Sequence, residues 1–276
     1  MFYSRPLGVS VLAAGAGFTA ACGECTAFLA RTDGTLNNTH KQAYSDLICG
    51  LKSDGVLTKL DALYIFATNN RTNALLNLVQ NAFNPTEHGT VSFSADHGYT
   101  GDGSTFFLDT GFTPSTAGGN FTLNAASLGF YDLTNRNPFA STLEIGVHFG
   151  GVNNDQAIAG AGVSNQATCS VNTTGAASQA GGHATNCFIA ASRTTSSLQT
   201  LYRNGSSIAT DATASGALAS GGSIYICANN NFSGGSLFSS DQLSAAFLGG
   251  GLTGTDVSNL SIRLNNYMTV FGINQY

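Results

Sequence analysis

The chain has 276 residues, a formal net charge of −5 and a pI of about 5.3. Only 9% of its residues are charged, against about 25% in ordinary globular domains, yet 42% are hydrophobic, including 18 Phe and 9 Tyr. That apolar content argues against disorder. The ten basic residues are scattered and form no stripe for a phosphate backbone, which argues against a nucleic-acid partner.

The first apolar run, residues 9–21, ends at Ala20-Ala21-Cys22 and hints at a secretion signal. Only Arg5 supplies positive charge, however, and Pro6, Gly8, Gly15 and Gly17 break the run. The same breaks argue against a membrane span. Residues 1–27 are therefore expected to form an extended arm covered by partners. Residues 39–55 predict a helix capped by Thr39, with Ala43, Tyr44, Leu47, Ile48 and Leu51 on one stripe and Gly55 as its stop. The run 60–66 is apolar and of ambiguous type. Residues 72–80 predict a third short helix, with Leu75, Leu76 and Val79 on one face.

From residue 90 short apolar runs alternate with Gly, Asn, Ser and Thr. Strands are expected over 91–95, 105–109, 127–133, 143–148, 157–160, 187–192, 197–203, 206–210 and 223–228. Asn204-Gly205 between two of them is a hairpin signal, because both residues accept the positive φ of a type I′ turn. Residues 253–271 predict a closing helix capped by Thr255 or Asp256, with Val257, Leu260, Leu264, Tyr267, Met268 and Phe271 at helical spacing. Many strands with few helices predict a mainly-β, two-sheet sandwich. The expected division is an arm over 1–27, a helical docking region over 28–89, and a sandwich with its closing helix over 90–276.

Six cysteines are present. Cys22 and Cys25 make a single C-x-x-C, with Cys49 a short helix away; zinc needs paired spacings, and only His40 is at hand to complete a set. Buried thiols and disulfides both stay open. For a disulfide the expected pair is Cys169 with Cys187, which flank one Gly/Ala/Ser-rich loop.

The run Gly98-Tyr99-Thr100-Gly101-Asp102-Gly103-Ser104-Thr105, followed by Leu108-Asp109-Thr110-Gly111-Phe112, resembles the opening strands of concanavalin A-like and laminin-G-like jelly rolls in tailed-phage proteins. Leu201-Tyr202-Arg203-Asn204-Gly205 resembles a hairpin of the same proteins. Ile224-Tyr225-Ile226-Cys227-Ala228-Asn229 and the stretch 237–253 resemble their last strands and closing helix. The stretch 54–67 also resembles a segment of these proteins. The resemblance covers residues from about 30 to 275. It implies a concanavalin A-like jelly roll with a small helical N-terminal region and a C-terminal helix. It also implies a virion structural protein (capsid decoration, collar or tail-associated) that contacts other virion proteins and copies of itself.

The resemblance brings an enzymatic alternative, since concanavalin A-like folds also host glucanases that carry Glu-x-Asp-x-Glu on one strand. The three glutamates here, Glu24, Glu87 and Glu144, have no acidic neighbour at that spacing. No Ser sits in a G-x-S-x-G elbow, and His40, His88, His97, His148 and His183 are isolated in sequence. No catalytic residue, cofactor or metal is therefore expected. Asp96, Asp102 and Asp109 surround a Gly-rich turn and suggest calcium, but Asp102 and Gly103 are better read as building the turn. The alternative function is a module for a host surface glycan. Trp is absent, which leaves the loop Asn229, Asn230, Asn231 and Phe232, together with Tyr131, as the candidate contacts.

Overall fold

The computed structural model describes residues 18–134, 142–148, 157–161, 166–183 and 186–276. Two sheets pack face to face. The first runs in the order β13 (Ser206–Asp211), β12 (Leu198–Arg203), β11 (Cys187–Thr195), β6 (Ala126–Asp132), β17 (Gln242–Gly249), β4 (Gly98–Thr100) and β3 (Ser92–Ser94). A further strand, β1 (Leu60–Ile65), pairs with β17. The second sheet runs β10 (Ala177–Gln179), β9 (Ala167–Val171), β8 (Ala157–Ala161), β7 (Ile145–Val147), β14 (Tyr225–Ile226), β5 (Phe107–Asp109) and β2 (Thr86–His88). The short hairpin of β15 (Asn229–Asn230) and β16 (Gly235–Ser236) flanks β7. Pairing is antiparallel throughout these ladders, except where Asn229 and Asn230 run parallel to Gly146 and Val147. The chain is thus a mainly-β jelly-roll sandwich, as its sequence predicts.

Among the described residues four α-helices accompany the sheets: α1 (Gly23–Leu29), α2 (Asn38–Ser53), α3 (Arg71–Ala74) and α4 (Gly254–Val270). One apolar core lies between the sheets and includes Tyr64, Phe66, Tyr99, Leu128, Phe130, Ile145, Ile189 and Ile226. A second lies between the outside of the first sheet and the helices, where Tyr131, Phe188, Tyr202 and Phe247 meet Tyr44, Leu47, Leu260, Leu264 and Tyr267. The central strands of the first sheet are therefore covered on both sides, and β1 and β6 are buried at every residue. Strands covered on both faces read as continuous apolar runs, so the 60–66 run carries no periodicity to separate strand from helix.

Local signals fix the helix ends. Asn37, not Thr39, caps α2, its side chain accepting from the His40 N–H. Gly55 follows the helix at φ +71°, where an L side chain is strained. In α4, Thr253 and Asp256 form a reciprocal capping box. The 72–80 helix shrinks to Arg71–Ala74 because buried Asn77 is drawn away: its Oδ1 accepts from the Leu63 and Val79 N–H groups, and its Nδ2 donates to Asp61 O and Ala82 O. The Asn204-Gly205 turn forms as expected, at φ +50° and +82° between β12 and β13.

Three expectations are corrected. The disulfide joins Cys22 to Cys49, with Cα atoms 5.7 Å apart, and staples α1 to α2. Cys169 and Cys187 are buried free thiols. Cys169 lies on β9 of the second sheet and Cys187 on β11 of the first, so the loop they flank crosses between the two sheets and does not join neighbouring strands. Burial pushes the Cys169 thiol up to about 12. Residues 23–27, placed in the extended arm, belong to α1; residues 1–17 lie outside the described residues. Finally, residue 90 is no domain boundary, since β1 and β2 from the 28–89 region are hydrogen-bonded into the two sheets.

Candidate functional site

The outsides of the two sheets differ. Helices cover the first. Among the described residues the apolar cluster beneath the helices includes none from the second sheet's strands, and α3 reaches that sheet at its edge, through Arg71 and Glu87. In the second sheet, alternate residues Leu108 and Ile226 point into the core, so their neighbours Phe107 and Tyr225 point outward. Cross-strand register places His88 opposite Phe107, with Thr86 and Tyr225 on either side of Asp109. The result is an aromatic row across β2, β5 and β14. His88 stacks on Phe107 at 4.6 Å between centroids and 5° between planes, and Phe107 stacks on Tyr225 at 4.2 Å and 18°. Phe238 flanks the row, 6.4 Å from Phe107. Gly235 makes room for it, since a Cβ there would fall 2.6 Å from the Phe238 ring.

All four rings are at least partly exposed. Polar groups line the row. Asp109 accepts from the Gly111 N–H and from the Ser223 hydroxyl, and His88 Nε2 lies 3.2 Å from Thr86 Oγ1. Burial, and then the Asp109 charge, push the Tyr225 phenol up, so it remains a hydrogen-bond donor. Stacking also decides what the row presents. Phe107, the middle ring, is stacked against both neighbours and so presents its edge.

The residues named for glycan contact do not form one platform. Asn229 and Asn230 are buried, at 2% and 4% exposure. Asn229 Nδ2 donates to His148 O and Ser236 Oγ, while Asn230 donates to Ser223 O and accepts from the Phe232 N–H. Their amide NH2 groups are engaged inside the protein and face no ligand. Asn231 and Phe232 are partly exposed, although Phe232 also packs on the core. Tyr131 is wholly buried beneath α4 and donates to Asn265 Oδ1.

The acidic trio of the Gly-rich turn is likewise dispersed. Asp102 accepts from the Ser104, Thr105 and Phe106 N–H groups, and these hydrogen bonds outweigh burial to hold its carboxyl far below the usual range. Asp102 builds the turn. Asp96 binds His40 Nε2 at 2.7 Å. Of the glutamates, Glu24 pairs with Lys52 and Glu87 with Arg71 and Tyr99. Glu144 is sealed inside. The histidines are not all isolated in space: His40 meets Asp96, and His183 meets Asp132.

No protein-family model matches the chain, and no curated protein matches it in sequence. Solved structures do share its architecture. A mutant of Trypanosoma rangeli sialidase displaying trans-sialidase activity aligns over 82% of this chain and 39% of its own, with 11% identity and a TM-score of 0.51. Domain 4 of AbnA, an extracellular arabinanase from Geobacillus stearothermophilus, solved with arabinotriose, aligns over 74% of this chain and 98% of its own, with 14% identity and a TM-score of 0.47. The chain spans about two-fifths of the sialidase. At such identities the likeness is one of fold alone. Among the described residues no helix is long and apolar enough to cross a membrane.

The aromatic row was not foreseen. His88 falls outside the predicted strands, and Phe107 and Tyr225 sit in separate runs 118 positions apart. Their alternation with Leu108 and Ile226 is the one signal that sets them facing outward.

Proposed function

We propose that the chain is a non-enzymatic structural component of a tailed-phage virion, a decoration, collar or tail-associated protein, acting through protein–protein contacts at the open face of its second sheet. The observation that carries this reading is the stacked row His88–Phe107–Tyr225, aromatic, partly exposed, and outside the apolar cluster beneath the described helices. Exposed aromatic groups rimmed by polar residues mark contact sites, and Tyr and Phe are enriched at interface cores. The low charge of the chain favours association. The resemblance of residues 98–112 and 224–253 to phage jelly rolls supplies the setting: other virion proteins and further copies of this chain.

A glycan-binding module for host attachment is the second reading. Asn231 and Phe232 favour it, being partly exposed in the loop between β15 and β16. The covered faces of Phe107 weigh against it, because a sugar ring stacks on an open aromatic face. Antibodies to the chain should label intact tailed-phage particles, and light scattering should reveal a symmetric oligomer. A protein that stays monomeric at high concentration and is absent from particles ends the first reading. Saturable binding on a glycan array, lost when Asn231 and Phe232 are both changed to Ala, establishes the second.

A further inference from the structure

A cluster of ligating side chains lies buried inside the sandwich, distinct from the exposed row. Asp132 closes β6, Asp241 immediately precedes β17, and His183 lies in the connection between β10 and β11. Their exposures are 0%, 2% and 0%. One ligand atom from each lies within 4.8 Å of the other two. His183 Nε2 and Asp132 Oδ2 are hydrogen-bonded at 2.8 Å, so a cation held by both would take the place of the shared proton.

A second observation concerns the same imidazole. His183 Nδ1, fully buried, has no hydrogen-bond partner. It lies 4.0 Å from Glu144 Oε2, and the Cys187 thiol is also near it. A buried polar nitrogen without a partner costs free energy. Glu144 enters from the start of β7 in the opposite sheet, wholly buried and bonded by the Thr142 and Ser239 hydroxyls. Gly160 leaves room for that carboxylate, since a Cβ there would fall 2.5 Å from Glu144 Oε2. Three carboxylates and one imidazole, drawn from both sheets and from one connection, therefore converge in the buried interior. Buried carboxylates are found paired or on cations.

We infer that Asp132, His183 and Asp241 form a divalent-cation site, with Glu144 as an additional carboxylate, and that the cation ties the ends of the two sheets to the β10–β11 connection. The donor set selects the ion class. Calcium takes six to eight oxygens, whereas imidazole with carboxylates suits manganese or zinc.

The test uses the full chain stripped with chelator and titrated calorimetrically with Mn2+, Zn2+ and Ca2+. One equivalent of Mn2+ or Zn2+ is expected to bind and to raise the melting temperature, with Ca2+ at least tenfold weaker. Asp241→Asn should weaken the tight ion at least tenfold, while Asp46→Asn, an exposed acid elsewhere, should not. Failure of the native chain to bind one equivalent overturns the site, as does unchanged affinity in Asp241→Asn. Calcium binding as tight as manganese overturns the ion class. Should Asp241→Asn fail to fold, anomalous scattering from Mn2+-soaked crystals of the native chain decides. A peak bonded to Asp132, His183 and Asp241 upholds the site, and a peak elsewhere or none overturns it.

Discussion

Phe247 and Tyr225 both project from the outside of a sheet, yet Phe247 is wholly buried beneath the helical layer and Tyr225 is partly exposed. Phe247 belongs to a strand apolar on both sides, stacked 5.9 Å from Phe188. Tyr225 belongs to a strand whose inner side alone is core. The first sheet thus encodes its own cover in sequence, because α2 and α4 carry matching apolar stripes. The second sheet carries aromatic groups outside, and among the described residues the helices' apolar stripes face the first sheet instead. A lone exposed aromatic residue is ordinary; a stacked row across three strands is a patch, and a patch implies a partner.

Removing a ring from each face is the strongest way to break this contrast. Phe247→Ala should cost about 3–5 kcal/mol, the range for deleting a buried Phe. Tyr225→Ala should cost less than about 1 kcal/mol, since surface changes are small. Urea unfolding of both variants measures the difference, and equal losses would erase the distinction between covered and open faces.

The cover itself is stapled. The Cys22–Cys49 bridge closes 27 residues of separation, worth roughly 3–4 kcal/mol in the loop-entropy account. The paired Cys22→Ser and Cys49→Ser variant should lose that amount, and the native chain in reductant should match it. The buried thiols of Cys169 and Cys187 should resist alkylation until the chain unfolds.

Two acids fasten α4 to its surroundings. Asp54, hydrogen-bonded to Arg263, is held below the usual carboxylate range. Burial raises the Asp256 carboxyl, but hydrogen bonds from Lys59 and Thr253 outweigh it and lower it overall. Carboxyls depressed in the folded state stabilise above their unfolded value near 3.9, and that contribution is lost as pH falls through the folded value. The melting temperature should therefore drop below about pH 4, and less steeply in Lys59→Met with Arg263→Met. Thr253→Ala, which removes the cap, should cost about 1 kcal/mol at neutral pH.

Legibility followed the range of the signals. Residues 204–205 and 253–256 carry their instructions within a few positions: the hairpin forms where the sequence places it, and the closing helix starts within a residue of its expected place but is capped by Thr253, with Asp256 at the third helical position, not by Thr255 or Asp256. β1 was ambiguous because burial on both sides removes periodicity. The Cys22–Cys49 bridge depends on how α1 lies against α2, which spacing alone does not state. Asp132, His183 and Asp241 are far apart in the chain and meet only through strand order, with β6 beside both β11 and β17. The aromatic row has the same cause.

The smallest stability effect belongs to the face with the largest proposed role. Phe107→Ser with Tyr225→Ser removes two stacked rings whose polar neighbours can be hydrated, so thermal and urea midpoints should move little. If the row is a contact surface, the same variant should weaken self-association, or incorporation into particles, at least tenfold by sedimentation. A stack kept only to stabilise the sheet would behave the other way, with unfolding shifted and association untouched. Measuring both in one variant separates a surface shaped for a partner from one shaped for the fold.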